Sequence, residues 1–266
     1  MRILESLAVL TACLLLSSCQ SRKAPDSLLI AGSTTMEAYV QPLSEAFARK
    51  HPQSNVVCDE GGAAAGLIAL KRGAIDVAML SRDVWADEDD IHLRDYLIAR
   101  DGVAIVVHPD NPVKRIQLKQ LTGVFAGQIT SWKDLGGADL PIVVLDLERG
   151  ARARKSLMDI VLSGEEPTRS AQVVPRVEDM ASTVSGNKQA IGYLALKHMT
   201  KTVVPLVVGD VEMNRTTMLS GRYPLTRSFY LVTYRSQSPL VASFIEFALS
   251  KEGQDLLTEE GLMAVH

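Results

Sequence analysis

The stretch that most constrains the fold is residues 28–37, Leu-Leu-Ile-Ala-Gly-Ser-Thr-Thr-Met-Glu. An apolar run ends in a glycine and three hydroxyl side chains and then passes into residues that favour a helix. This order predicts a strand, a tight turn and a helix N-terminus. Because the first N–H groups of a helix lack backbone partners and carry partial positive charge, the turn is a candidate anion site.

Short apolar runs alternate with helical patterns along the rest of the chain. Strands are predicted at residues 55–59, 75–80 and 103–107. The first is followed by a glycine-rich turn and a helix, and the second by the polar residues 81–83. This alternation predicts an α/β fold with a mainly parallel sheet. In such sheets, ligands lie outside the carboxyl ends of the strands, where the candidate turns are placed.

One carboxylate, Asp76, interrupts the otherwise apolar strand at residues 75–80. A carboxylate in such a strand requires a partner or a function, since burying it alone is costly. Two interpretations stay open from the residues alone: a ligand-binding group, or a capping residue at the edge of the strand.

The charge balance excludes one class of function and the motifs argue against another. The chain of 266 residues has 28 Lys and Arg against 31 Asp and Glu, whereas nucleic-acid binders show a strong basic excess. Its five histidines are scattered, and neither Gly-x-Ser-x-Gly nor His-Glu-x-x-His occurs. We therefore expect neither an enzyme nor a metal or cofactor site, and no nucleic-acid partner.

The N-terminus is typical of an export signal. Arg2 supplies a positive charge, residues 7–16 are apolar, and Leu16-Ser17-Ser18-Cys19 resembles a bacterial lipobox. The apolar core is shorter than the roughly 20 residues that span a bilayer. We expect a signal peptide at residues 1–18 and lipidation of Cys19; the alternatives are a plain secretory peptide and a buried apolar tail.

Removal of that signal peptide would leave a short polar tether and one thiol. Residues 19–26 lack apolar periodicity and contain Pro25, as a linker does. With Cys13 removed and Cys19 acylated, Cys58 is alone and cannot form an internal disulfide. The fold must then be stabilised by its hydrophobic core.

The most unusual local feature of the mature chain is a basic cluster at residues 148–155, Glu-Arg-Gly-Ala-Arg-Ala-Arg-Lys, at a predicted helix start. Positive charge there is disfavoured by roughly 0.3 to 1 kcal/mol per residue. Either the side chains point into solvent, or an anion binds among them. Both interpretations remain open.

An ordered set of motifs resembles one family, the phosphate-binding proteins of the PstS type, which are solute receptors of phosphate ABC transporters. The motifs cover nearly all of the mature chain. They are Gly32-Ser33-Thr34-Thr35, Gly61-Gly62 with Gly66, residues 73–79 with Ser81-Arg82, Asp101-Gly102-Val103-Ala104, Asn111-Pro112-Val113, Leu121 with Phe125 and Gly127 before Trp132, Ala190-Ile191-Gly192-Tyr193, and Tyr223-Pro224-Leu225.

The resemblance implies a two-lobed periplasmic-binding-protein fold of type II. Residues 27–105 and 206–266 would form the first lobe and residues 106–205 the second, with the ligand in the cleft between them. It also implies a monomer that binds inorganic phosphate or a related oxyanion, that works with ABC permease subunits, and that is anchored by lipid to a bacterial membrane, facing the periplasm or the exterior.

The resemblance also implies a set of ligand-binding residues. They are Ser33, Thr34 and Thr35 of the first turn, Asp76, Ser81 and Arg82 of the third strand and its turn, and Arg152 and Arg154 of the second lobe. Asp76 would accept a hydrogen bond from protonated phosphate and repel sulfate, which offers no proton.

Two turns depart from the family pattern. Ala63 and Ala64 stand where the family has Ser-Gly, and residues 150–154, Gly-Ala-Arg-Ala-Arg, replace Gly-Ser-Gly-Thr-Arg. Leu147 falls where a ligand arginine is expected, so Arg149, Arg152 or Arg154 would have to supply the missing charge. The alternative function is therefore an interaction or signalling lipoprotein that keeps the fold and has lost tight phosphate binding.

Overall fold

A computed structural model describes residues 27–235 and 237–265 of the protein. The predicted signal peptide and the whole of the tether, including Cys19, lie outside the described residues. Among the residues described, no helix has both the length and the apolar character needed to cross a bilayer.

Twelve strands are formed by the described residues, several of them very short. In chain order they are β1 (Ser27–Gly32), β2 (Asn55–Glu60), β3 (Val77–Leu80), β4 (Leu93–Val107), β5 (Arg115–Ile116), β6 (Val143–Leu147), β7 (Gln172–Val174), β8 (Ala190–Ala195), β9 (Val204–Pro205), β10 (Val207–Val208), β11 (Thr226–Tyr234) and β12 (Met263–Ala264).

The same part of the chain forms eight α-helices. These are α1 (Thr34–Lys50), α2 (Ala63–Lys71), α3 (Leu118–Phe125), α4 (Arg152–Val161), α5 (Met180–Ser185), α6 (Arg215–Leu219), α7 (Pro239–Leu249) and α8 (Lys251–Glu259). Short 3₁₀ turns lie at Trp132–Leu135, Val177–Asp179 and Leu196–His198.

One sheet runs through the whole molecule in the order β2-β1-β3-β11-β4-β8-β6-β7, with β9 and β12 paired to β4. Strands β1, β2 and β3 are parallel, and so are β6, β7 and β8. The antiparallel pairs β3–β11, β11–β4 and β4–β8 connect these two parallel groups. The predicted α/β fold with two lobes, each built on a mainly parallel sheet, is confirmed.

Strand β4 joins the two lobes. Its first part pairs with β11 from Leu93 to Gly102, and its last part pairs with β8 from Val103 to Val107. The sequence indicates a strand only from Val103, because charged pairs at residues 94–95 and 100–101 flank the short apolar run at residues 96–99. The structure begins the strand ten residues earlier, since pairing with β11 satisfies the backbone of this polar segment.

Two main hydrophobic cores lie on either side of this crossing. Leu28, Val40 and Phe244 belong to the core of the first lobe, and residues 103–107 belong to the core of the second. Residues Leu206, Val208, Met218, Tyr223 and Leu225 also pack into the second core. The chain therefore returns to the first lobe at β11, about twenty residues after the boundary expected from the sequence.

The turn after β1 depends on a glycine. Gly32 has φ +147°, and a Cβ there would lie 2.4 Å from the carbonyl oxygen of Met79 on the neighbouring strand. The next residue donates its backbone N–H to the same oxygen at 2.8 Å. Gly32 thus lets α1 begin directly beside the end of β3.

We expect Gly32→Ala to lower the free energy of unfolding by about 2 to 4 kcal/mol, because the methyl group overlaps backbone atoms at an unfavourable φ. Gly61→Ala is the matched control, since a Cβ there meets nothing within 4 Å. Urea unfolding of both variants tests this. Equal stability of the two would show that the close approach of β1 to β3 does not require glycine.

Candidate functional site

The candidate site is a cleft of about 510 Å³ between the two lobes. Helix α1 forms one wall, the start of α4 and the turn before it form the other, and β11 contributes one side chain. The lining residues are Thr34, Thr35, Ala38, Tyr39, Arg149, Gly150, Ala151, Arg152, Arg154, Lys155, Met158, Glu166 and Arg227.

The first-lobe wall is the N-terminus of α1. Ser33 precedes the helix and makes no side-chain capping bond to it. Its hydroxyl instead donates to Ser81 Oγ at 2.9 Å, which ties the turn after β1 to the turn after β3. The first-turn N–H groups of Thr34 and Thr35 thus receive no cap from Ser33, and both residues line the cleft.

Tyr39 lies one turn further along α1 and also lines the cleft. Burial, with a further contribution from the charge of Asp101, raises the pKa of its hydroxyl to about 12. The phenol is therefore protonated and neutral at physiological pH, and the side chain adds no negative charge to the cleft.

The second-lobe wall is a second helix N-terminus. Ala151 precedes α4 without a side-chain capping bond, and Gly150 before it has φ +96°. The cleft is thus lined by residues at two helix starts, together with five cationic side chains and one carboxylate, Glu166. Both features favour an anionic ligand.

Arg154 lines the cleft but is held by its own lobe. Its Nε donates to Asp146 Oδ2 at 2.9 Å and its Nη2 bonds to Glu166, while only 9% of its side chain is exposed. Burial alone would lower the pKa of this guanidinium, but the hydrogen bonds to Glu166 and Asp146 outweigh it and raise the pKa. Arg154 is therefore always charged, and it anchors two acidic groups of the second lobe.

Arg152 joins the two lobes. Its Nη1 donates to the carbonyl oxygen of Glu260 at 2.5 Å and pairs with the Glu260 carboxylate at the end of α8. Its guanidinium also lies 4.9 Å from the ring centroid of Tyr39. The solvated and anion-binding interpretations of the basic cluster are both incomplete, since Arg152 and Arg154 mainly contact protein groups.

Four of the eight expected ligand residues do not line the cleft: Ser33, Asp76, Ser81 and Arg82. Asp76 lies at the amino end of β3, where its Oδ2 accepts from the N–H of Leu29 at 2.8 Å. Ser81 follows the other end of the strand. At 3.3 Å per residue, the five-residue step from Asp76 to Ser81 is about 16 Å. Arg82 turns back on its own loop, with two hydrogen bonds to Glu88 at 2.6 and 2.8 Å and its guanidinium 3.6 Å from the Trp85 ring centroid.

The described residues offer no cluster of three or more His, Cys, Asp or Glu side chains that could hold a metal ion.

Comparison with known proteins identifies the family. The PBP superfamily domain matches residues 19–252. The phosphate-binding protein PstS of Bacillus subtilis is 30% identical over 91% of this chain and 82% of its own length. A crystal structure of an ABC-type phosphate transport receptor from Vibrio cholerae is 30% identical, covers 89% of this chain and 99% of its own, and superposes with a TM-score of 0.66. A putative phosphate ABC transporter substrate-binding protein with bound phosphate from Clostridium perfringens is 34% identical, covers 90% of this chain and 100% of its own, and has a TM-score of 0.53.

The chain belongs to the PBP superfamily, among the PstS-type proteins.

The second lobe of this PstS-type chain has an apolar residue at a position where the family resemblance implies a ligand arginine. Leu147 ends β6, is 1% exposed and belongs to the second core. Its N–H donates to the hydroxyl of Tyr193 at 3.0 Å, and that hydroxyl donates to Asp146 at 2.5 Å. No ligand can be held by a side chain at position 147.

Arg227 is a cleft residue that reasoning from the sequence missed. It lies near the start of β11, 193 positions after Thr34 and outside the strand–turn–helix motifs that marked the other walls. Its closeness to the cleft depends on the pairing of β11 with β4, in which Arg227 stands opposite Asp101. The available signal was a charged residue beside the apolar run at residues 229–232.

We expect Arg154→Met to destabilise the PstS-type fold by about 3 to 5 kcal/mol, because Asp146 would be left buried without its cation. Arg149→Met is the matched control: Arg149 lines the same cleft, but 85% of its side chain is exposed. Thermal unfolding of both variants without ligand measures the difference. Equal melting temperatures would mean that the Arg154–Asp146 pair is not needed for the second lobe.

Proposed function

We propose that the protein is an extracytoplasmic solute-binding protein that captures inorganic phosphate, or a related oxyanion, for an ABC importer. The observation that carries the proposal is the cleft itself, with an uncapped helix N-terminus on each wall and five cationic side chains. The named functions of its PstS relatives agree with this proposal. The protein performs no chemistry on its ligand and acts with permease subunits as a monomer.

In this proposal, the ligand contacts Thr34 and Thr35 from the first lobe and the residues around Gly150 from the second. Hydrogen bonds from N–H groups at helix starts suit an oxyanion, because the donors and the helix dipole both favour negative charge. Ser33 and Ser81 act by holding the first turn in place. Arg152 contributes charge while its contacts with Glu260 and Tyr39 draw the lobes together.

Discrimination between phosphate and sulfate requires an acceptor for a ligand proton. Asp76 does not line the cleft, whereas Glu166 does. Hydrogen bonding to Arg154 lowers the pKa of Glu166, so its carboxylate is ionised at neutral pH and can accept a hydrogen bond from a protonated phosphate oxygen. We therefore assign to Glu166 the selectivity that the sequence suggested for Asp76.

We expect calorimetric titration to give saturable phosphate binding with a rise in melting temperature, and markedly weaker binding of sulfate. Glu166→Gln should narrow the preference for phosphate by roughly tenfold, because an amide can donate to sulfate. Glu165→Gln, a change at an exposed neighbour outside the cleft, should leave it unchanged. An unaltered preference in Glu166→Gln would contradict the assignment.

A second candidate function is an interaction or signalling lipoprotein that has lost tight ligand binding. It is favoured by the engagement of Arg152 and Arg154 with Glu260, Asp146 and Glu166, and by the buried Leu147. The same titration separates the two functions. Absence of both binding heat and thermal stabilisation at millimolar phosphate would contradict solute capture and support the second candidate.

Lipid anchoring through Cys19 is the remaining part of the proposal and is supported by the lipobox-like sequence before it. Cys19→Ser removes the thiol that would be acylated, so we expect the protein to leave the membrane fraction. Cys58→Ser is the matched control, because Cys58 lies in β2 of the folded domain. Fractionation of cells expressing each variant tests this, and persistent membrane attachment of Cys19→Ser would contradict the anchor.

A further inference from the structure

One face of helix α4 carries a polar stripe that contacts the first lobe. Its members are Arg152, Ser156 and Asp159, whose spacing of four and three residues places them on the same side of the helix. We infer that this polar stripe holds the two lobes together before a ligand binds, and that Ser156 and Asp159 are positioning residues of the cleft. The inference rests on the proposed function only in what it predicts for phosphate affinity.

The buried end of the polar stripe meets two charged residues on the crossing strands. Asp101 of β4 and Arg227 of β11 stand opposite each other in the pairing of these strands. Arg227 donates from Nη1 to Asp159 Oδ2 at 2.6 Å and from Nη2 to Asp101 Oδ2 at 2.8 Å. Ser156 Oγ donates to the same oxygen of Asp101 at 2.5 Å. One charge-assisted network therefore binds α4 of the second lobe to both crossing strands.

The other end of the polar stripe reaches two helices of the first lobe. Arg152 Nη1 donates to the carbonyl oxygen of Glu260 at 2.5 Å and pairs with its carboxylate, directly after α8. The Arg152 guanidinium also lies 4.9 Å from the ring centroid of Tyr39 on α1. Because Arg152 and Asp159 are about 10 Å apart along the helix axis, α4 is fixed to the first lobe at two separate points.

Any separation of the lobes must stretch these contacts, because the polar stripe and its partners lie on different lobes. Only 9% of the Arg227 side chain, 12% of the Asp101 side chain and 23% of the Asp159 side chain are exposed. Pulling apart buried charges that lack other partners is strongly unfavourable. Protein groups alone thus favour the arrangement in which the cleft is formed, and a ligand need not supply that free energy.

A ligand can enter the cleft while the lobes stay together. Two of the cations that line it are largely in solvent, with 85% of the Arg149 side chain and 57% of the Lys155 side chain exposed. Thr34, at the start of α1, is also exposed. The polar stripe therefore fixes the width of the cleft without closing its mouth.

The test measures the radius of gyration by X-ray solution scattering, with and without inorganic phosphate, and the phosphate Kd by calorimetry. Asp159→Asn removes the carboxylate that joins α4 to Arg227, so we expect a larger radius of gyration without phosphate and the wild-type value at saturating phosphate. The phosphate Kd should rise roughly tenfold, because only the fraction of molecules with a formed cleft binds.

Asp146→Asn is the matched control. Asp146 is also a buried carboxylate paired with an arginine, but its partner Arg154 belongs to the same lobe. We therefore expect Asp146→Asn to lose thermal stability while its radius of gyration without phosphate stays at the wild-type value.

A second pair of variants tests the exposed end of the polar stripe and does not create a buried unpaired charge. Glu260→Gln weakens the pairing with Arg152 and should raise the phosphate Kd about threefold. Glu259→Gln changes the neighbouring exposed carboxylate, which makes no ion pair within the described part of the chain, and should leave the Kd unchanged. This pair decides the question if Asp159→Asn does not fold.

Contraction of the wild-type protein on addition of phosphate would overturn the inference. So would a folded Asp159→Asn that loses thermal stability but keeps the wild-type radius of gyration and Kd, which is the result of a purely structural role. If the wild type binds no phosphate while Asp159→Asn still expands, the proposed function fails and this inference stands. If the wild type binds phosphate and Asp159→Asn neither expands nor binds more weakly, only this inference fails.

Discussion

The structure depends on one strand that belongs to two lobes. Residues 93–102 of β4 pair with β11 and residues 103–107 pair with β8, so a single continuous ladder connects two hydrophobic cores. The helix starts on either side of this crossing must then face one another. The cleft, its two N-termini and the arginine on β11 are consequences of this shared strand.

The electrostatics of the cleft are set by how its cations are partnered. Arg154 is bound to Asp146 and Glu166, and Arg152 is bound to Glu260, so much of the positive charge already interacts with carboxylates of the protein. The helix N-termini provide the remaining attraction for an anion. In the proposed function, ligand recognition thus relies on backbone donors more than on the basic cluster itself.

Much of the fold could be predicted from the sequence because the strands and helices carry strong local patterns. The strand–turn–helix at residues 28–37, the buried run at residues 103–107 and the helix that begins in the basic cluster are all present. The early start of β4 could not be predicted, because its polar residues are stabilised by pairing with β11, more than 120 positions later. The placement of residues 206–225 on the second core likewise depends on tertiary packing.

The site was only partly predictable for the same reason. Thr34 and Thr35 lie where the local pattern and the helix dipole place an anion site, and Arg152 and Arg154 also line the cleft. Asp76 was assigned by its type in an apolar strand, but strand direction puts it at the far end of β3. Arg227 and Glu166 reach the cleft through contacts distant in sequence, which no spacing rule reveals.

The most direct test of this account is a crystal structure of the protein grown with saturating phosphate. The account predicts one ion in the cleft, within hydrogen-bonding distance of the N–H groups of Thr34 and Thr35. An ion bound instead beside Asp76, or an ion-free cleft at saturating phosphate, would contradict it.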